Sequence, residues 1–370
     1  MRGRRVYLGA FDAPESHEAY ARTIAEWSAG RSFAAGRASE RITVTELVVR
    51  FLDYADRYYG TEGPTTKEPL MFRLAARPLL RLYGRTEAGS FAPSCLHTVR
   101  EEMIRTGWAR KYVNQQAGRL KRVFKWGVTE GLVPPSVWHG LTAVEGLKRG
   151  RCDARETDPI PPVSDDVVNT TLPHLTPTLR AMVQFHRHTG CRPQEACLLR
   201  PCDVDRSGAV WTYRPMTHKT AHHGHERVIH VGPKGQEILR PLLLRTEPTA
   251  FVFTPQRSEQ ERRDAVHAAR TTPESCGNRP GTNRKKRPSK APGDRWDSRS
   301  YAKAIQAACE RAGVPHWSPN QLRHAFATEI RRLHGLEAAQ VLLGHARADV
   351  TQVYAERDHA KAAAVAALVG

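Results

Sequence analysis

The sequence predicts a mainly α-helical fold with one small antiparallel sheet, an α+β architecture in two main domains. Three observations support this prediction. Apolar residues recur at helical spacing over most of the chain, for example through residues 42–59. Two short β-rich runs, AVWTYRP and RVIHVGP, flank a segment that contains Gly224 and predict a hairpin. Residues 149–162 are charged and then proline-rich, which is typical of a linker between domains.

Positive charge dominates the composition. The 370 residues include 57 Lys and Arg against 38 Asp and Glu, a formal net charge of +19. Such a charge is typical of proteins that bind DNA or RNA, whereas a solubility surface in an arginine-rich proteome explains only a modest excess. No apolar run approaches the roughly 18 residues of a membrane-spanning helix. The sequence therefore predicts a protein with no membrane partner that is cytoplasmic, and nucleoid-associated when bound to DNA, or that is nuclear in a eukaryote.

The cysteines and histidines do not predict a metal site. The seven cysteines are odd in number and contain no C-x-x-C pair, so we expect reduced thiols. Metal binding by the histidines of the predicted hairpin would need a cysteine or carboxylate partner, or a shared face, and neither is evident. We therefore expect no metal in the hairpin, and a hairpin that contacts DNA phosphate. The hairpin histidines are His218, His222, His223, His225 and His230.

The first half of the chain predicts two helical parts. In residues 1–40, RRVYLGAF predicts a short strand and PESHEAYARTIAEWSAG predicts a helix, an arm-like unit that either contacts DNA or extends the fold. Residues 41–148 predict a helical domain. Within it, residues 106–133 place an apolar stripe on one side and basic residues mainly off it. That helix is either a DNA-binding face or an ordinary solvated amphipathic helix.

The second domain, residues 163–370, begins with a capping Ser164, and its next helix ends at Gly190. AFVFTP predicts a short strand, and the basic, apolar-poor residues 255–298 predict a flexible insertion. From residue 299 onward the pattern is helical. Ser318 begins one of these helices, and Gly335 and Gly344 end successive ones.

Four separated segments, in this order, resemble the motifs of the tyrosine recombinase (phage integrase) family. The resemblance covers roughly residues 41–360. It implies a helical core-binding domain followed by a mixed α/β catalytic domain of the DNA breaking-rejoining type. The segments are HTGCRPQEACLL with Arg192 and Glu195, HKT with Lys219, NQLRHAFAT with Arg323, and LLGHARADVTQVY with His345 and Tyr354.

The resemblance implies DNA strand transesterification with no metal and no cofactor, and the residue types suit that chemistry. A tyrosine phenolate attacks phosphorus and holds the strand as an ester, which makes Tyr354 the candidate nucleophile. Guanidinium groups match the non-bridging phosphate oxygens, so Arg192 and Arg323 are the candidate clamps. Lys219 is the candidate general acid for the leaving 5′ oxygen, and His345 the candidate hydrogen-bond donor to the phosphate. Glu195 is expected to orient a side chain or cap a helix.

One position departs from the family pattern. Three residues before the second arginine the family usually has histidine, whereas this chain has Asn320. An amide can hydrogen-bond a phosphate oxygen but cannot exchange a proton. The adjacent His324 is an alternative base, but it points about 100° away from Arg323 on a helix.

The resemblance further implies two domains that clamp double-stranded DNA, a homotetramer in the synaptic complex, and accessory DNA-bending proteins for some members. It places the protein with mobile elements and DNA integration. Two alternatives remain at this point. A type IB topoisomerase uses a similar residue set to relax DNA, and a catalytically lapsed DNA-binding protein would retain the fold without Tyr354 chemistry.

Overall fold

The structure is a computed structural model that describes residues 7–28, 41–60, 67–218, 226–273, 275–276 and 291–344. The chain divides into two compact units, which we call the N-terminal unit, Met1–Asp158, and the C-terminal unit, Pro159–Gly370. Within the described ranges, no helix has the length and apolar character needed to cross a membrane.

The N-terminal unit is helical wherever regular structure is described. Helices α2, α3 and α5 pack against one another, and α4 and α6 pack on α5. Apolar residues spaced three and four apart face the shared core, where Leu47, Phe72 and Phe124 are buried. The helices are α1 (Pro14–Ser28), α2 (Val44–Gly60), α3 (Glu68–Tyr83), α4 (Pro93–Arg105), α5 (Arg110–Thr129) and α6 (Pro135–Thr142), with a 3-10 turn at Ala88–Ser90.

The basic side chains of α5 are largely paired within the unit. Arg119 and Arg122 donate to the two oxygens of Glu68 at 2.7 and 2.8 Å, and Arg110 pairs with Glu156. The apolar stripe of the same helix is buried, as predicted. The positive face that the sequence predicts is therefore partly neutralised by carboxylates from elsewhere in the unit.

The strand predicted for RRVYLGAF is wrong in its described part, residues 7–11, which form no strand. An extended segment needs a neighbouring strand to pair its backbone groups. Among the described residues, none of the strand pairings or isolated β-bridges involves residues 7–11.

The C-terminal unit surrounds helix α8 with helices and a three-stranded sheet. Helices α10, α11 and α13 pack on α8, and α12 packs on α7 and α9. The helices are α7 (Asp165–Thr171), α8 (Pro177–Thr189), α9 (Pro193–Cys197), α10 (Pro233–Leu244), α11 (Pro255–Ala268), α12 (Ser298–Ala312) and α13 (Pro319–Leu343), with 3-10 turns at Leu172–His174 and Pro201–Asp203. The strands are β1 (Val204–Asp205), β2 (Trp211–Tyr213) and β3 (Ile229–Val231).

The predicted hairpin is confirmed in its strands. β1, β2 and β3 lie side by side in that order, and both neighbouring pairs are antiparallel. In the register of β2 with β3, Trp211 opposes Val231 and Tyr213 opposes Ile229, so their buried side chains share the core face. The described residues of the connection end at His218 and resume at Glu226.

Two predictions for residues 250–298 are wrong. The flexible insertion was expected to begin at residue 255, but α11 occupies Pro255–Ala268. Thr254 caps this helix, and Glu261 binds both the backbone N–H and the hydroxyl of Thr178 at 2.8 and 2.7 Å, which holds a polar helix against α8. AFVFTP forms no strand, because its buried Val252 makes a single backbone bond to Leu199 before α11 begins. Residues 277–290 lie outside the described part of the chain.

The helix ends predicted from sequence are confirmed, and they position the site. α8 ends at Gly190 and α13 at Gly344, both in the left-handed conformation. Ser318 and Gln321 form a capping box that begins α13. Gly335, with φ +87°, breaks α13 and redirects its second half.

Candidate functional site

Arg323 lies on the first part of α13 and is buried, with 3% exposure. Its Nη1 donates to the carbonyl of Gly190 at 2.6 Å and its Nη2 to the carbonyl of Leu343 at 2.8 Å. Both carbonyls lie at helix C-termini, where unpaired acceptors and the helix dipole favour a cation. One guanidinium therefore ties together the end of α8 and the end of α13.

Arg192 stands two residues after Gly190, at the start of the short helix α9. Glu195 holds it twice: Oε2 accepts the Arg192 backbone N–H at 2.7 Å, and Oε1 accepts Arg192 Nη1 at 2.8 Å. Glu195 is 2% exposed, whereas the Arg192 side chain is 22% exposed. Glu195 thus caps α9 and orients the more exposed arginine, which are the two roles that the sequence suggests for it.

The structure adds Arg227, which sequence reasoning missed. Arg227 lies just before β3, and its side chain is 4% exposed. Its Nε and Nη2 donate to the two oxygens of Glu195 at 3.2 and 3.4 Å. The only sequence signal is a basic residue at the start of a predicted strand. That signal does not distinguish it among 57 Lys and Arg.

The charge balance of this cluster is positive. Burial raises the pKa of Glu195, but the Arg227 charge and the Arg192 backbone and side-chain contacts outweigh burial and leave that pKa below its ordinary value. Glu195 is therefore ionised, and one carboxylate faces two guanidinium groups, with Arg323 as a third nearby. A fixed excess of positive charge with restricted water suits a phosphate group.

His186 lies beneath these residues on α8 and is fully buried. Burial lowers its pKa to about 3, an effect that the Arg323 charge reinforces and that the Cys191 backbone and the Glu195 charge partly offset. The imidazole is therefore neutral at pH 7. Its ring centre lies 6.1 Å from that of the buried Tyr301.

Asn320 is exposed on the first turn of α13, and its Nδ2 lies 2.9 Å from Nε2 of His324. An amide nitrogen only donates hydrogen bonds, so this ring nitrogen accepts and the imidazole is neutral. Burial lowers the pKa of His324, as does the Arg323 charge, while the backbone of Ile160 raises it. Asn320 and His324 thus form a pair at the position where the family usually has a single histidine.

The structure brings together some of the predicted site residues and does not describe others. Arg323 binds the carbonyl of Gly190, two positions before Arg192, so α13 is tied to the segment that carries Arg192. Lys219, His345 and Tyr354 lie outside the described residues. Their roles remain predictions, although the described chain ends at Gly344, directly before His345.

Within the described ranges, no group of three or more His, Cys, Asp or Glu side chains is arranged to hold a metal ion. Of the hairpin histidines, His218 and His230 are described. Cys191 and Cys197 are buried, and burial raises the pKa of both thiols, that of Cys191 to about 12. These thiols are therefore protonated and poor ligands or nucleophiles.

Comparison with known proteins gives a consistent result. Residues 166–361, more than half of the chain, match the model of the phage integrase family. A curated relative, the tyrosine recombinase XerD of Neisseria meningitidis serogroup B, is 46% identical over 52 residues, which are 14% of this chain and 18% of the relative. The curated relatives that match are covered over only 18 to 25% of their length.

Solved structures match over nearly the whole chain. The Tn1549 transposon integrase in complex with transposon right-end DNA has a TM-score of 0.62 and 16% identity, over 89% of this chain and 99% of that one. A λ integrase tetramer bound to a Holliday junction has a TM-score of 0.58 and 14% identity, over 96% and 92%. At these identities the similarity shows a shared fold.

Proposed function

The chain belongs to the phage integrase family, and from this premise we propose that it is a site-specific DNA recombinase. It cleaves and rejoins DNA through a 3′-phosphotyrosyl intermediate and a Holliday junction. The observation that best supports the proposal is that Arg323 binds the carbonyl of Gly190, two residues before Arg192. Close by, Arg192 and Arg227 share the single carboxylate of Glu195, which leaves an excess of positive charge.

The proposed reaction is an in-line displacement at one phosphorus atom. Tyr354 loses its hydroxyl proton to solvent, its oxygen forms a bond to phosphorus, and the bond from phosphorus to the 5′ oxygen breaks. Lys219 gives a proton to that leaving oxygen. The ester keeps the energy of the broken bond, so a second 5′ hydroxyl can reverse the reaction without ATP or a metal ion.

The positive residues stabilise the transition state. Negative charge grows on the non-bridging phosphate oxygens, and Arg192 and Arg323 offer planar donors that stay charged at any working pH. His345 adds a further donor. Preorganised donors of this kind each contribute about 10²–10³ in rate. Because Arg323 is held by two helix ends, its position needs no rearrangement when charge develops.

Asn320 stands where the family usually has a histidine, three residues before Arg323. Its amide donates to His324 and cannot transfer a proton. We propose that it binds the phosphate or orients the nucleophile by hydrogen bonding alone.

The proposed partners follow from the reaction. The substrate is double-stranded DNA, contacted by a core-binding domain, residues 41–148, and a catalytic domain, residues 163–370, which the linker 149–162 connects. Four copies would assemble around two DNA sites, with accessory DNA-bending proteins at some sites. The solved relatives bound to DNA support this proposal.

A nicked suicide duplex tests the proposal. Loss of the short leaving strand traps a covalent protein–DNA adduct that migrates slowly in a denaturing gel. We expect the wild-type chain to form this adduct without metal and Tyr354→Phe to form none while still binding the duplex. Lys219→Ala should cleave slowly and recover on a substrate with a better 5′ leaving group. An adduct that survives Tyr354→Phe would overturn the assignment of the nucleophile.

Two measurements on the wild-type protein separate the rival activities. Relaxation of a plasmid without paired target sites would favour a topoisomerase. DNA binding with no adduct in the wild-type protein would favour a lapsed binding protein.

A further inference from the structure

Arg227 is a buried arginine that the proposed reaction does not yet use. Taking a guanidinium out of water is costly unless it is paired and hydrogen-bonded. Arg227 meets that requirement through both oxygens of Glu195, at 3.2 and 3.4 Å, and through the carbonyl of Val228 at 3.4 Å. Its location therefore depends on Glu195, the residue that also holds Arg192.

Glu195 is shared between two arginines. Oε1 accepts from Arg192 Nη1 at 2.8 Å and from Arg227 Nε at 3.2 Å. With an uncharged residue at position 227, the Glu195 carboxylate would pair with Arg192 alone, and the charges of Glu195 and Arg192 would cancel. Arg227 thus offsets the carboxylate, so that the partly exposed Arg192 retains net positive charge to offer a phosphate.

Arg227 also lies against the end of α13. A Cβ placed on Gly344 would come closer than 3.0 Å to Arg227 Nη1, a separation that real Cβ atoms essentially never show, and 3.2 Å from its Cζ. The guanidinium cannot move aside freely, because it is buried and held by Glu195. Gly344 therefore allows the backbone to approach Arg227 directly before His345 in the chain.

We propose that Arg227 is a positioning residue for strand cleavage. It shares the Glu195 carboxylate with Arg192, so that the Arg192 charge is not fully offset, and it fixes the backbone of Gly344, which precedes His345 in the chain. This inference rests on the recombinase function proposed above. Arg227 joins three separate parts of the chain, the start of β3, the start of α9 and the end of α13, and it acts through their residues without contacting the reacting phosphate.

The first test removes the charge and then restores it. Arg227→Gln keeps a hydrogen-bonding side chain but loses the positive charge, whereas Arg227→Lys keeps the charge. We expect Arg227→Gln to slow adduct formation on the suicide duplex by at least about tenfold, with the dissociation constant for the intact duplex within about twofold of wild type. Arg227→Lys should recover part of the lost rate. A uniform loss of DNA binding and rate in both variants, or no loss in either, would overturn the inference.

The second test uses two matched glycines. Gly344 and Gly313 both end a helix, and both have φ +64°, but a Cβ on Gly313 meets nothing within 4 Å. Substitution by alanine therefore carries the same backbone strain at both positions, and only Gly344→Ala displaces Arg227. We expect Gly344→Ala to slow adduct formation by at least about tenfold more than Gly313→Ala.

A double-mutant cycle shows whether Gly344 acts through Arg227. In an Arg227→Gln background, the shorter side chain leaves room for a Cβ, so Gly344→Ala should have a much smaller effect than in wild type. Equal effects in both backgrounds would contradict the coupling. Thermal melting of each variant identifies any that fails to fold. If one does, Arg227→Lys still tests the role of the charge, and Gly313→Ala still shows how much of the effect comes from backbone strain alone.

The outcome of this test is separable from that of the proposed function. If the wild-type chain forms no adduct, the recombinase assignment fails. If it forms the adduct and the Arg227 and Gly344 variants behave like wild type, only the positioning role fails.

Discussion

Acid should destabilise the C-terminal unit through His186. This imidazole is fully buried on α8, and burial lowers its pKa to about 3. In the unfolded chain its pKa is about 6.5. Between these two values the unfolded state binds a proton that the folded state does not. Above about pH 6.5 the imidazole is neutral in both the folded and the unfolded chain, so the free energy of unfolding is unaffected by His186. As the pH drops below that value, only the unfolded chain binds the proton, and the free energy of unfolding falls.

The size of the effect follows from the two pKa values. Well below the unfolded value, each pH unit costs about 1.4 kcal/mol. Between about pH 7 and pH 5, the unfolding free energy should fall by about 2 kcal/mol through His186 alone. His186→Leu removes this contribution. Neither ring nitrogen makes a hydrogen bond of good geometry, so leucine removes only the weaker contact with the Cys191 backbone.

The assay is urea unfolding at both pH values, monitored by hydrogen exchange of peptides from α8 and α12. These peptides report the free energy of unfolding of the C-terminal unit alone. We expect the variant to lose about 2 kcal/mol less than wild type on acidification. Burial also lowers the pKa of His188 and of His324, but both proteins retain these residues, so the difference isolates His186. Equal losses in the two proteins would refute the reasoning.

Three further predictions concern the site and its support. Arg323→Lys keeps the charge but cannot bind two helix ends with a planar group, so adduct formation should fall by about 10²–10³ with duplex binding retained; a rate near wild type would contradict the clamp. Gly190→Ala would drive a Cβ into the ring of Phe326 at φ +57°, and the unfolding free energy in urea should fall by about 1–3 kcal/mol or more. Asn320→His supplies a group that can exchange a proton beside His324, so single-turnover cleavage should quicken by up to about 10²-fold; an unchanged rate would mean that the amide suffices.

Local structure followed closely from the sequence where one residue type has one strong physical role. Ser164, Gly190 and Gly344 ended or began helices as predicted, because capping hydroxyls and left-handed glycines act within a single turn. The hairpin strands were recognisable from β-branched and aromatic residues at alternating positions. The errors fell where local signals compete with packing. The polar sequence of α11 predicted a flexible insertion. The helix is held instead by a hydrogen bond between two residues far apart in the chain, Glu261 and Thr178, which local sequence does not reveal.

The site shows the same division. Arg192 and Arg323 could be selected from sequence because they belong to motifs with a known order, and so could Glu195. Arg227 could not, since nothing near it in the chain distinguishes it from other basic residues. Its role becomes visible only in the folded chain, where Arg227 contacts the carboxylate of Glu195, 32 positions away, and Gly344 at the end of α13.

The sequence by itself determined the family, the helical character, the helix ends and the residue types that phosphoryl transfer requires, because each of these depends on residue identity and short-range spacing. Only the tertiary structure decided how charge is distributed among Arg192, Glu195 and Arg227, and that Arg323 binds two helix ends. Those features are set by distances between segments far apart in the chain, and Coulomb and hydrogen-bond energies depend on such distances rather than on order along the sequence.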